Sequence, residues 1–181
     1  MNTAANLDLR FSASQLEELM EEALSEAEIA ASLGEVPVGA VIARRLGSGI
    51  EIIATAHNEV ERRSDASAHA EMLAIQRASS AGGNWRLDDC VLAVTLEPCT
   101  MCAGAIKLAR IPVVVFGADD PVMGAFGSLY DLSDLAARSP APRIISGILA
   151  EKCSAVLKDF FETRRSRGAK EVLWESRHRF D

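Results

Sequence analysis

A chain of 181 residues and 19.4 kDa suits one domain with room for a sizeable core. Hydrophobic residues make up 49% and charged residues 25%, which excludes disorder or a collagen-like repeat for the bulk of the chain, and no apolar run reaches the roughly 18 residues of a membrane-spanning helix. The net charge of −7 excludes a uniformly basic nucleic-acid binder, but six basic and three acidic residues from Arg164 to Asp181 give +3, against −10 from the 13 basic and 23 acidic residues before them.

Met1 to Ser14 lacks the apolar core of a secretory signal, so the expected location is cytoplasmic. Leu16, Leu19, Met20, Ala23, Leu24, Ala27 and Ala30 recur at helical spacing and predict an amphipathic first helix. Ser14 with Glu17 has the form of a capping box, and Gly34 is a stop signal. Val36 to Ala43 and Ile50 to Ala56 read as strands joined by a hairpin turn at Leu46-Gly47-Ser48-Gly49. A second helix is expected from His69 to Ser79, ended by Ala81-Gly82-Gly83. Val91 to Leu96 fits a buried strand, and Pro98 opens a third helix from Cys99 to Ala109, since proline is tolerated at the first helical position. Ile111 to Phe116 is a further buried strand. Asp119 to Ser139 is irregular and rich in Gly and Asp, as substrate loops are. The last helix is expected from Ile148 to Arg165, with Leu149, Cys153, Val156, Leu157, Phe160 and Phe161 on one apolar stripe. This order predicts helices packed on a mixed sheet, in one domain over 1–167 followed by a basic tail over 168–181.

Four cysteines are too few for a disulfide scaffold in a chain this long. Cys99-Thr100-Met101-Cys102 alone reads as a redox dithiol, a metal half-site or two buried thiols, and His69-Ala70-Glu71 alone is weak. Together they are specific. Cys99 and Cys102, three apart at a helix start, share a face where the positive helix end favours thiolates. His69 from a second helix start makes three ligands, which leaves a tetrahedral zinc with one open position, as in catalytic sites. Glu71 is then a spare carboxylate beside the metal. His69 and Glu71, two apart, converge only if the pocket lies off the end of the helix. A redox dithiol leaves His69 and Glu71 unexplained, and a structural zinc wants a fourth ligand. Cys90 and Cys153 read as buried thiols.

With these residues the sequence resembles the zinc-dependent cytidine and deoxycytidylate deaminase superfamily. That signature is shared by cytosine, guanine, deoxycytidylate and riboflavin-pathway deaminases, so a small-molecule nucleobase or nucleotide deaminase is the alternative reading. Further blocks resemble the bacterial tRNA-specific adenosine deaminases: Glu35-Val36-Pro37-Val38-Gly39-Ala40-Val41, His57-Asn58, Ala68-His69-Ala70-Glu71-Met72, Thr95-Leu96-Glu97-Pro98-Cys99-Thr100-Met101-Cys102-Ala103-Gly104-Ala105, Val114-Val115-Phe116-Gly117-Ala118, Gly124-Ala125-Phe126-Gly127-Ser128-Leu129 and Gly147-Ile148-Leu149-Ala150-Glu151-Lys152-Cys153. The resemblance implies a cytidine-deaminase-like three-layer α/β/α fold, with a five-stranded mixed sheet flanked by helices. It implies hydrolytic deamination of adenosine to inosine at the wobble position (34) of a tRNA anticodon, by a homodimer. Carried over by motif, His69, Cys99 and Cys102 are ligands of one Zn²⁺ per subunit, Glu71 is the proton shuttle, and Asn58 holds the nucleoside. A plain turn residue at a strand end is the alternative for Asn58.

The chain departs from that family's pattern in four places. Ala66 stands where a Pro is usual, Asp119-Asp120-Pro121-Val122-Met123 lacks the usual Lys, Ala141-Pro142 replaces an Asn-His, and the tail past Arg167 has no counterpart. The basic end is expected to compensate for the lost Lys toward RNA phosphate. Phe160 and Phe161 read as core, with one of them available to edge the pocket, and Trp174 and Phe180 are candidates to stack on RNA bases.

Overall fold

The computed structural model describes residues 11–47, 49–134 and 140–177. Helix α1 (Ala13–Ser32) buries Leu16, Leu19, Met20, Ala23, Leu24, Ala27 and Ala30, the residues that set its period. Its cap is Ser12 paired with Gln15, not Ser14 with Glu17. Both pairs fit the capping pattern. Phe11, which packs on the apolar cluster beneath α1, is local to the earlier start.

Strands β1 (Gly39–Leu46) and β2 (Gly49–His57) form the expected hairpin, with Leu46 opposite Gly49. Ser48 lies outside the described residues. A short helix α2 (Val60–Arg63) and helix α3 (Ala70–Gly82) follow, then β3 (Cys90–Leu96), α4 (Thr100–Leu108), β4 (Val113–Ala118), β5 (Arg143–Ser146) and α5 (Ala150–Arg177). The five strands form one mixed sheet in the order β2-β1-β3-β4-β5. β1 is antiparallel to both neighbours, whereas β3, β4 and β5 run parallel. Thus the fold is the cytidine-deaminase-like layered sheet that the sequence implied.

Side chains alternate across the sheet. Ala40, Ile42, Leu92, Val94, Val114 and Phe116 face α3 and α4 in one apolar cluster. Val41, Ala43, Val91, Ala93, Val113 and Val115 face α1 and α5 in the other. The fit of α1 is close: a Cβ added at Gly39 would strike the α1 backbone at Ala23 and Ala27.

Several elements differ from the sequence reading: α2 was not predicted, and β1 starts at Gly39 instead of Val36. Pro98 precedes the cap of α4 instead of opening it, because Cys99 takes the cap with an extended ψ of 174°. β5 was not predicted: Arg143-Ile144-Ile145-Ser146 is too short for a pattern and is stabilised by parallel pairing to β4. α5 continues to Arg177, twelve residues beyond the predicted Arg165. The side chains of Trp174 and Phe180, the two candidate stacking residues, lie outside the described residues. Among the described residues, no helix is long and apolar enough to cross a membrane.

Candidate active site

Antiparallel pairing puts the start of β1 beside the end of β2, with Gly39 opposite His57, and the parallel strands end at the same edge. The segments after β2, β3 and β4 therefore meet there, as expected for ligand sites at the carboxyl ends of strands. They enclose a cavity of about 510 Å³ lined by Glu35, Asn58, His69, Glu71, Glu97, Cys99 and Asp120, with Leu157 and Phe161 contributed by α5.

His69 is the cap residue of α3, with an extended ψ of 152°, and Cys99 is the cap residue of α4. Neither side chain caps its own helix. Each is free to point outward, and the positive helix ends face the sulfurs. His69 Nδ1 lies 3.7 Å from Cys99 Sγ and 3.6 Å from Cys102 Sγ. The three donor atoms lie within 4.8 Å of one another, so these residues can hold a metal ion. Tetrahedral zinc with ordinary Zn–N and Zn–S bonds would hold such donors about 3.6 Å apart, and the observed separations match. Cys90 and Cys153 are buried free thiols outside this cluster.

The two thiols titrate as a pair. A hydrogen bond from the Cys102 thiol, against the cost of burial and with His69 adding to it, pulls Cys99 down to about 4. Cys102, the donor in that bond and itself buried, is pushed up. One thiolate is thus ready and one proton must leave when metal binds, which makes metal affinity pH-dependent.

Glu71 is 3% exposed, and its Oε2 has no hydrogen-bond partner among the described residues. Burial raises its pKa above the ordinary carboxylate value. It does converge on the cavity with His69, because His69 caps the helix and the in-helix spacing rule does not bind it.

Asn58 follows β2, is 7% exposed, and lines the cavity. Its Nδ2 donates to Glu35 Oε2 at 3.2 Å, and its backbone N–H donates to Val38 O at 2.9 Å. Asn58 is therefore both a turn residue and part of the cavity wall. Phe161 is not core: it is 42% exposed and stands at the cavity rim. The departures at 119–123 fall on the same wall, where Val122 and Met123 are exposed apolar side chains.

Two buried carboxylates organise the site, and sequence reasoning gave neither a role. Glu35 is fully buried and also accepts the backbone N–H groups of Glu61 at 3.2 Å and Arg62 at 2.7 Å, at the start of α2. Glu97, 2% exposed, accepts the backbone N–H groups of Asp120, Phe126 and Ser128 at 3.1, 2.8 and 3.1 Å. It thereby ties the segment before Cys99 to the loop after β4. An acid beside apolar and proline neighbours, as in Glu35-Val36-Pro37 and Leu96-Glu97-Pro98, was the available signal.

The model of the cytidine and deoxycytidylate deaminase zinc-binding region matches residues 13–118, which span His69, Glu71, Cys99 and Cys102. The site is thus that of a zinc-dependent deaminase, an enzyme acting on carbon–nitrogen bonds. The chain is 47% identical over 148 residues to a tRNA-specific adenosine deaminase of Bacillus subtilis, covering 82% of this chain and 89% of the relative. It is 44% identical over 149 residues to that of Haemophilus influenzae, covering 82% and 84%. A structure solved in a study of A-to-I editing by tRNA:A34 deaminases superimposes with a TM-score of 0.71 at 40% identity, over 77% of this chain and 99% of that one. The chain belongs to the tRNA-specific adenosine deaminase family. Guanine deaminase from Nitrosomonas europaea, at 23% identity and a TM-score of 0.63 over 84% and 85% of the two chains, shares the fold.

Proposed function

We propose that this chain converts adenosine to inosine at the wobble position, nucleotide 34, of a tRNA anticodon. The observation that carries the reading is the 47% identity to a tRNA-specific adenosine deaminase over 82% of the chain. The meeting of His69, Cys99 and Cys102 beside buried Glu71 supports it.

In this reading His69, Cys99 and Cys102 hold Zn²⁺, which when bound supplies a Lewis acid that makes water nucleophilic near neutral pH. Glu71 carries the proton: its Oε2 accepts one from the attacking water and delivers one to adenine N1. The water oxygen bonds to C6, the remaining hydroxyl proton passes to the exocyclic nitrogen, and the bond from C6 to that nitrogen breaks, so adenosine and water become inosine and ammonia. Asn58 holds the nucleoside, and Phe161 stacks at the rim. A loop base is already partly unstacked, so drawing it into the cavity costs less than opening a duplex. The working form is a cytoplasmic homodimer on a tRNA anticodon stem-loop, with the basic end of the chain on RNA phosphate.

The test is one assay on zinc-loaded protein. An anticodon stem-loop with adenosine at position 34 is incubated in parallel with free adenosine, cytosine, guanine and deoxycytidylate. Inosine in the RNA is the expected result. Ammonia from a free base or nucleotide, with none from RNA, overturns the tRNA reading in favour of a small-molecule deaminase.

A further inference from the structure

The wall of the cavity holds a polar arrangement that the zinc chemistry does not use. Glu35 is fully buried and Asn58 is 7% exposed, and both line the cavity. A carboxylate oxygen only accepts, so the edge of the Asn58 amide that meets Glu35 Oε2 at 3.2 Å is its N–H edge. Turning the amide over would set Oδ1 against a carboxylate oxygen. The same Oε2 also accepts Glu61 N–H, and Oε1 accepts Arg62 N–H, which anchor the carboxylate from the backbone. Asn58 Oδ1 accepts no hydrogen bond from the described residues.

We propose that Glu35 is a positioning residue that locks the Asn58 amide in one orientation, so that the cavity wall offers an acceptor, Oδ1, to a hydrogen-bond donor of the bound nucleoside. This rests on the reading that Asn58 contacts the nucleoside. A buried polar group built to receive a donor rejects ligands lacking it, because the group is then left unpaired. Glu35 acts on the substrate through Asn58 and touches no reacting atom.

The experiment is a set of variants assayed for kcat and KM on the anticodon stem-loop, with zinc content and thermal midpoint measured on each. Glu35→Gln can flip Asn58, and the expected loss in kcat/KM is about tenfold, the upper end for one neutral hydrogen bond. Asn58→Asp sets two carboxylates face to face and is expected to lose more. Glu35→Gln added to Asn58→Asp restores a donor facing an acceptor and is expected to regain about tenfold over Asn58→Asp alone. The sign of the Glu35→Gln effect thus reverses with the residue at position 58, which a structural role for Glu35 does not produce. The same loss from Glu35→Gln in the wild-type, Asn58→Asp and Asn58→Ala backgrounds overturns the proposal and assigns Glu35 to the support of α2. An unchanged kcat/KM in Asn58→Ala instead overturns the nucleoside contact on which it rests. If Glu35→Gln alone fails to fold, the comparison of Asn58→Asp with the double variant still decides, since only the lock predicts the gain.

Discussion

Glu97 Oε1 accepts the backbone N–H of Phe126 at 2.8 Å, and with that bond the segment before Cys99 holds the loop after β4. The neighbouring bridge between Cys99 and Gly124 and the bond from Ala125 N–H to Pro98 O reinforce the junction. A Cβ at Gly124 would strike the Glu97 carboxylate, so the two segments are in contact with no room between them. Glu97→Gln keeps the size of the side chain but cannot accept from all three N–H groups with both atoms. The expected cost is about 1–3 kcal/mol in urea unfolding, with faster amide exchange at Phe126 and Ser128. Unchanged exchange at those two amides would show that the loop does not hang from Glu97.

On the proposed mechanism, Glu71→Gln removes the proton carrier while retaining the volume of the side chain. Turnover is expected to fall about 10²–10⁴-fold, the usual contribution of a positioned acid–base group. Zinc content by atomic absorption should stay at the wild-type level. Wild-type turnover in this variant rules Glu71 out as the shuttle.

Cys102→Ser and His69→Ala each leave two of three donors. Both variants are expected to purify with well under one zinc per chain, and chelator treatment of the wild type should lower its thermal midpoint, with recovery on adding Zn²⁺. Because Cys102 is held protonated until metal binds, zinc affinity should weaken as pH falls. A pH-independent zinc affinity contradicts the paired-thiol description.

Glu59 tests the electrostatics around the Asn58 segment. Its carboxylate accepts Arg63 Nε at 2.7 Å and Arg77 Nη2 at 3.0 Å. The hydrogen bond from Arg63, against the cost of burial and with Arg63, His57 and Arg77 charges adding to it, holds its pKa below the usual carboxylate range. A lowered folded pKa means that the unfolded state binds more protons between the two values. The contribution of Glu59 is therefore full above the unfolded value of about 4.3 and is lost as pH falls through the folded one. Relative to Glu59→Gln, the wild type should keep a constant stability advantage from pH 7 to pH 5 and lose it on further acidification. An advantage that persists at pH 2 would contradict this.

Phe161 at the rim, 42% exposed, is placed to meet an unstacked base. Phe161→Ala is expected to raise KM for the stem-loop by the cost of one base–aromatic stack, about 1–3 kcal/mol, with kcat little changed. Equal effects on kcat and KM, or a large loss of stability, would return it to the core.

The candidate ligand set is legible because its signal is chemical and local: His69-Ala70-Glu71 and Cys99 to Cys102 each lie within one helix start. Glu35 and Glu97 lie within the resembling blocks but their roles are not visible in the sequence, since their partners lie 23 to 31 residues away in the chain. Phe161 takes the pocket-edge alternative instead of the core position for a geometric reason. The stripe on α5 packs on the sheet through Cys153, Val156 and Leu157, and the helix then runs on past that cluster. Helical period predicts which residues share a face, not where the neighbouring layer ends.

The attachment of the 119–129 loop through the Glu97 carboxylate and main-chain bonds to Pro98 and Cys99 divides the molecule into parts that can change at different rates. His69, Cys99 and Cys102 stand on helix starts fixed by the buried sheet, where most substitutions would disturb packing. Val122 and Met123 stand on a segment held by backbone N–H groups, theirs to the Asp120 carboxylate and that of Asp120 to Glu97, which any residue but proline can supply. Inherited variation can therefore reshape the mouth of the cavity without disturbing the metal centre, so one chemistry can be handed from substrate to substrate over a lineage.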